Sequence, residues 1–304
     1  MDEKPWFGSY EPGVPRELVF PEKALPETLR ETANRFPRRP AIRFFGRDIS
    51  YQELDRRVDR FANLLISRGV GPGDRVALYL PNVPPAVIGY YGILRAGAVV
   101  TQINPLQTPR ETIHQLKDSG AKFVVALDSF VPILRPIAEE CGLKAVWVVR
   151  VSDDLPLIKS WVVRWRNRKD KGRVSWPTEA YFRSFPRDLA AASDARVRIP
   201  LKMDDLALLQ YTGGTTGLPK GVMLTHRNIV ANAWQARVWI AGSGEGRHTV
   251  LGAIPFFHCY GMTVGMNLSV LVGASMVLVP SCMLPTCFIS GPAGSPGPRR
   301  PRRP

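Results

Sequence analysis

The sequence has 304 residues, 45% of them hydrophobic, and a formal charge of +15. A chain of this length and apolar content can bury a large core, which excludes global disorder. Ten of the fifteen excess charges lie in two stretches, +6 between Lys159 and Arg173 and +4 from Arg299, Arg300, Arg302 and Arg303, so the basicity is local and argues against a nucleic-acid-binding surface.

Residues 1–24 read as an N-terminal extension, with acidic residues and prolines where a signal peptide would need a basic flank and an apolar core. From there, helical periodicity is expected over 25–36, 51–68, 84–95, 109–119 and 226–240. Short apolar runs predict strands over 41–45, 75–80, 98–102, 122–127, 145–149, 206–211, 249–254 and 275–279. Ser50, with Glu53 three residues on, predicts a capping box at the start of the second helix. Strands alternating with helices imply an α/β fold of parallel sheets flanked by helices. Several strands are apolar throughout, as expected where helices cover both faces.

Three segments break the alternation. Residues 155–173 place Leu157, Ile158, Trp161, Val162 and Trp165 on one helical face and arginines on the other, the profile either of a peripheral contact with anionic membrane or of a solvated surface insertion. Thr249 to Pro298 contains no charged residue, and 261–280 has the length of a membrane span. Asn267, Ser269 and Ser275 interrupt it and Gly273-Ala274 divides it, so a buried helix followed by a buried strand is expected instead. Residues 281–304, with six prolines, three glycines and four arginines, cannot form a packed element and are expected to be a disordered tail. The change of character after Pro280 suggests truncation or a shifted reading frame. Cys141, Cys259, Cys282 and Cys287 are too few and too irregular for a disulfide framework or a zinc site, which fits a reducing, cytoplasmic setting.

The chemistry concentrates in residues 208–221, LLQYTGGTTGLPKG. Its four glycines allow close backbone approach to an anion, and Thr212, Thr215 and Thr216 add hydroxyl donors. Lys220 supplies a compact charge suited to phosphate. The pattern is not a Walker A loop, because Pro219 precedes Lys220 and Gly221 follows it. The alternative is a plain Gly/Thr turn between a strand and a helix, with Lys220 solvated. His258, after an apolar strand, can be either a packed histidine or a proton donor in a site.

The string YTGGTTGLPKGVMLTH (211–226) resembles the signature loop of the adenylate-forming superfamily, which includes acyl-CoA synthetases, coumarate ligases, firefly luciferase and peptide-synthetase adenylation domains. The resemblance extends through YQELDRRVDRFANLLISRGVGPGDRVALYLPN (51–82), GILRAGAVVTQINPL (92–106) and PFFHCYGM (255–262). It spans most of 25–280, a partial AMP-binding domain, and is strongest to long-chain fatty-acid–CoA ligases. It implies attack of a fatty-acid carboxylate on the α-phosphorus of ATP, giving acyl-adenylate and pyrophosphate, and then displacement of AMP by the CoA thiol. It also implies that Thr212, Gly213, Gly214, Thr215, Thr216, Gly217 and Lys220 hold the β- and γ-phosphates, with Thr215 and Thr216 as Mg²⁺ contacts. His258 then lies near the substrate carboxylate, Tyr260 and Gly261 line the acyl tunnel, and Cys259 is pocket wall. His226 would cap or orient the following helix, while His114 and His248 look like surface residues.

The family's later motifs, an adenine-binding Y-G-x-T-E, a ribose-binding T-G-D, the hinge and the mobile C-terminal domain with its lysine, do not occur in these residues. The expected fold is therefore an incomplete N-terminal domain with the C-terminal domain absent, and these residues alone are expected to show no ligase activity. Two readings stand: an acyl-CoA ligase, with fatty or aryl acid as substrate, and a non-catalytic fragment that retains nucleotide or lipid-surface binding. Nothing in the sequence specifies an oligomeric state.

Overall fold

The computed structural model describes residues 4–156, 177, 179–213, 218–240 and 244–280. Most of the basic insertion, the tail, Cys282, Cys287 and the loop residues Gly214, Thr215, Thr216 and Gly217 lie outside them. The first half of the chain runs α1 (Leu25–Arg35), β1 (Pro40–Phe44), β2 (Arg47–Ser50), α2 (Tyr51–Ser67), β3 (Arg75–Tyr79), α3 (Pro84–Arg95), β4 (Val99–Gln102), α4 (Pro109–Ser119), β5 (Phe123–Leu127), α5 (Val131–Ile137) and β6 (Ala145–Val149). The second half adds β7 (Phe182–Ser184), α6 (Phe185–Ala191), β8 (Leu206–Thr212), β9 (Lys220–Thr225), α7 (His226–Trp239) and β10 (Thr249–Gly252). A π-helical turn, Gly261–Asn267, then leads into α8 (Leu268–Leu271) and β11 (Ser275–Leu278).

The strands form a seven-stranded sheet, β7-β6-β5-β3-β4-β8-β9, and a four-stranded sheet, β10-β11-β1-β2. Every pairing in the larger sheet is parallel except β8 with β9. Side chains alternate across it with the period of a strand. Val76 and Leu78, Phe123 and Val125, and Ala145 and Trp147 join one core with α1, α2, α3 and the smaller sheet. Ala77 and Tyr79, Val124 and Ala126, and Val146 and Val148 join a second with α4 and α5. Both faces are thus covered, which explains the uninterrupted apolar runs. Because α3 and α4 follow the neighbouring strands β3 and β4 onto opposite faces, a crevice opens beyond their carboxyl ends, where ligands bind in folds of this kind.

The buried polar groups are matched to partners. Arg30 donates from Nη2 to both carboxylate oxygens of Asp59 (2.7 and 2.8 Å), and Arg95 donates to Asp55 at 2.5 Å and lies 3.3 Å from Asp59. This cluster joins α1, α2 and α3. In the charge-free segment near the C-terminus, Tyr91 Oη donates to Asn267 Oδ1 (2.9 Å), Ser269 Oγ to Gly265 O (2.8 Å) and Ser275 Oγ to Pro40 O (2.6 Å). Those contacts satisfy polar groups inside the packed core, and among the described residues no helix is long and apolar enough to cross a membrane.

Ser50 caps α2 by accepting the Glu53 N–H at 3.2 Å. The reciprocal half of the expected box is not made: the Glu53 carboxylate accepts from Arg56 and Arg57 instead. Complete boxes stand at α4, from Thr108 and Glu111, and at α7, from Thr225 and Asn228.

Candidate active site

The signature segment does not join a strand to a helix, as its sequence suggested. It is the tip of an antiparallel hairpin, with β8 and β9 paired from Leu206 opposite Thr225 to Thr212 opposite Lys220. Pro219 and Gly221 at the start of β9 disguise the second strand, since both residues interrupt strand patterning. The hairpin has an electrostatic consequence. The α7 N-terminus lies at the far end of β9 from the loop, and a helix dipole acts only over its first turn. That helix end is therefore too distant to meet charge on an anion at the loop.

Thr212 and Lys220, as a directly opposed pair, project to the same side of the hairpin. Both are exposed, and Lys220 has no ion-pair partner among the described residues. A Cβ at Gly213 would meet no atom of the described residues within 4 Å. Gly221 is constrained differently: a Cβ would sit 3.1 Å from the Tyr211 ring, which lies across the start of β9. No cluster of three His, Cys, Asp or Glu side chains able to hold a metal occurs among the described residues. Hydroxyls and phosphate oxygens are nonetheless a donor set Mg²⁺ accepts, since it keeps much of its water and is bound largely through substrate phosphates.

The second part of the site follows β10. His258 is exposed, and its Nδ1 accepts the Tyr260 N–H at 3.3 Å. The ring proton of the neutral imidazole is thereby assigned to Nε2, which is free to donate. Cys259 is exposed, with Sγ 3.8 Å from the same Nδ1. Tyr260 is 55% exposed. Gly261 is buried, and a Cβ there would fall 2.1 Å from Pro255 O, so only glycine permits the turn that carries His258.

Two residues that sequence reasoning missed bind these parts together. Asn82, 1% exposed just beyond β3, donates from Nδ2 to Gly252 O (2.8 Å) and Ile254 O (2.9 Å) and accepts the Phe256 N–H at Oδ1 (2.8 Å). Gln210, near the end of β8, donates to Phe257 O at 3.1 Å. The carboxyl ends of β3, β8 and β10 therefore converge on the segment that presents His258. A polar residue placed immediately after an apolar parallel strand, as Asn82 is, was the available signal.

The other histidines also differ from expectation. Thr225, not His226, caps α7. His226 is buried, accepts the Leu25 N–H at Nδ1 (3.3 Å), and has its pKa lowered to about 4 by burial against a weaker opposing pull from Asp205. His114 and His248 are half-buried, and His114 reaches the signature loop through Pro219 O at 2.9 Å.

The profile of the family described as AMP-binding enzyme matches residues 29–288. The chain belongs to that family. It is 38% identical over 283 residues to the long-chain-fatty-acid–CoA ligase of Bacillus subtilis, covering 92% of this chain and 50% of the relative. It is 35% identical over 288 residues to the same-named protein of Salmonella typhimurium, with 91% and 50% covered. The chain thus spans about half the length of the curated relatives it matches. Among solved structures, a long-chain-fatty-acid–CoA ligase from Archaeoglobus fulgidus superposes with a TM-score of 0.71 at 28% identity, covering 88% of this chain and 49% of that one. ATP-bound MatB from Rhodopseudomonas palustris gives 0.67 at 28% identity, covering 85% and 46%. These matches carry the expected N-terminal α/β architecture of adenylate-forming enzymes.

Proposed function

We propose that this AMP-binding chain supplies the phosphate-holding and carboxylate-facing side of an AMP-forming acyl-CoA ligase acting on fatty acids. The observation that carries the reading is the open hairpin in which Thr212 and Lys220 face the same way, tied through Gln210 to the His258 segment. Thr212, Gly213 and Lys220, with Gly214, Thr215, Thr216 and Gly217, hold the β- and γ-phosphates of ATP. Their donors stabilise the charge that collects on pyrophosphate as it leaves. Mg²⁺, when bound near Thr215 and Thr216, adds Lewis-acid neutralisation of the same oxygens.

His258 donates from Nε2 to an oxygen of the substrate carboxylate or of the adenylate formed from it, which orients the acid for in-line attack on the α-phosphorus. Tyr260 and Gly261 shape the acyl entrance, and Asn82 and Gln210 hold the loop in place. CoA is the acceptor in the second half-reaction. The partners are then fatty acid, ATP and CoA in the cytoplasm, with 155–173 as a peripheral contact on anionic membrane.

The test is a chimera of residues 1–280 with the second half of the Bacillus subtilis relative, assayed for acid-dependent ATP–pyrophosphate exchange. Palmitate or octanoate is expected to support exchange well above coumarate. Preference for coumarate would move the assignment to aryl acids. A folded chimera with no exchange for any acid would leave only the non-catalytic reading.

A further inference from the structure

We infer that helix α4 is the positioning element of the hairpin, with His114 and Asp118 as the residues that fix its geometry; the inference rests on reading that hairpin as the phosphate loop. The two side chains are four residues apart and so share one helical face. Tyr211 Oη donates to Asp118 Oδ2 at 2.5 Å, and His114 Nε2 lies 2.9 Å from Pro219 O. A carbonyl only accepts, so His114 Nε2 carries the proton. Each contact falls one residue before a phosphate-facing residue: Tyr211 before Thr212 on β8, and Pro219 before Lys220 on β9. The helix therefore grips both arms of the hairpin beside the residues whose spacing a phosphate would read.

The helix is built to serve as a fixed strut. Its N-terminus is closed by the Thr108–Glu111 capping box with Pro109 in the first turn, and its C-terminus by Gly120 at φ 67°. Gln115 ties its middle to the sheet, donating to Thr101 Oγ1 (3.1 Å) and Gln102 O (2.8 Å) of β4. The element it holds needs holding. Among the described residues β9 is an edge strand, paired with β8 alone, so it is held to the sheet by hydrogen bonds on one side only. Burial, with the adjacent Asp118 carboxylate, raises the Tyr211 pKa, so the phenol remains a donor across the neutral range.

The test compares the wild-type chain with His114→Ala/Asp118→Ala and with the conservative His114→Gln/Asp118→Asn, which keeps a donor and an acceptor at the two positions. Amide exchange is followed by mass spectrometry in peptides covering 206–213 and 218–225, and magnesium pyrophosphate binding by calorimetry. In the alanine pair the hairpin is expected to exchange about ten-fold faster and pyrophosphate to bind about ten-fold more weakly, the loss of two ordinary hydrogen bonds. Exchange in β3 and β5 should be unchanged, and the Gln/Asn pair should restore both readouts. Unchanged hairpin exchange in the alanine pair overturns the inference. Faster exchange with undiminished pyrophosphate affinity also overturns it, by reducing the contacts to a structural role. Faster exchange in a chain whose wild type binds no pyrophosphate supports the strut while refuting the phosphate reading, so the two claims fail separately.

Discussion

Replacing Asp59 by Ala is expected to destabilise the chain by about 3–5 kcal/mol, the cost of removing one partner from a buried charge cluster. Asp59 is 5% exposed and Arg95 4%. The Asp59 carboxylate accepts from both Arg30 and the Val197 N–H and faces Arg95, so its loss leaves two guanidinium groups sharing Asp55. Burial already lowers the Arg95 pKa, with Asp55 and Asp59 opposing the shift, so one of the two compensating charges would be gone. Among the described residues Arg30 Nε has no hydrogen-bond partner to begin with. Since domains are stable by about 5–15 kcal/mol in total, a large part of the margin rests on this residue. Urea denaturation of the variant measures the loss directly. The exposed Lys23–Glu31 pair provides the control, because Lys23→Ala should leave the midpoint where it was. A midpoint for Asp59→Ala as little changed as that control would contradict the account of how α1, α2 and α3 are held.

Asn82→Ala is the second large effect, and it separates stability from positioning. The substitution leaves the Gly252 and Ile254 carbonyls and the Phe256 N–H without their partner. Unfolding free energy should fall by about 2–3 kcal/mol, given that an unsatisfied buried group costs about 1–3 kcal/mol and part of this segment can reach water. The functional loss should be larger. Residues 252–256 lead directly to His258, the residue proposed to meet the substrate carboxylate, and a displacement of about 1 Å at such a group costs on the order of a hundred-fold in rate. In the ligase chimera, fatty-acid-dependent exchange is expected to drop about a hundred-fold under conditions where the variant is still folded. Asn82→Asp should fare no better, because it keeps the acceptor for Phe256 but turns a charge toward two carbonyls. Wild-type exchange in a folded Asn82→Ala chimera would remove Asn82 from the positioning of the site.

Much of this architecture is legible in the sequence because local pattern and tertiary burial agree. The helices at 84–95 and 109–119 lie at their expected limits, the first marked by Pro84 and Pro85 in its opening turn and the second by a capping box and a terminal glycine. Strands 75–79, 123–127 and 145–149 declare themselves because helices cover both faces and force continuous apolar runs. The elements that escaped detection carry contradictory local signals. Strand β2 is Arg-Asp-Ile-Ser, α5 contains Pro132 and Pro136 within seven residues, and β7 is three residues long.

The site divides along the same line. Glycines, threonines and a lysine crowded into one loop can be read as phosphate chemistry, because few structural needs call for that combination. That the loop tips a hairpin depends on Lys220 to Thr225 pairing with β8, and neither Pro219 nor Gly221 advertises a strand. Asn82, Gln210, His114 and Asp118 act through contacts with residues 47 to 174 positions away. Periodicity and spacing report local order, so long-range polar contacts of this kind leave no trace in them.

Whether the hairpin binds a polyphosphate through Lys220, as proposed, is decided by calorimetric titration of the 304-residue chain with MgATP and with magnesium pyrophosphate. Saturable binding of both is predicted for the wild type, weakened at least ten-fold by Lys220→Ala, the usual consequence of losing a charged hydrogen bond, with the folded state unaltered because Lys220 is exposed. Identical titrations for the two proteins, or no binding by a folded wild type, would contradict the proposal.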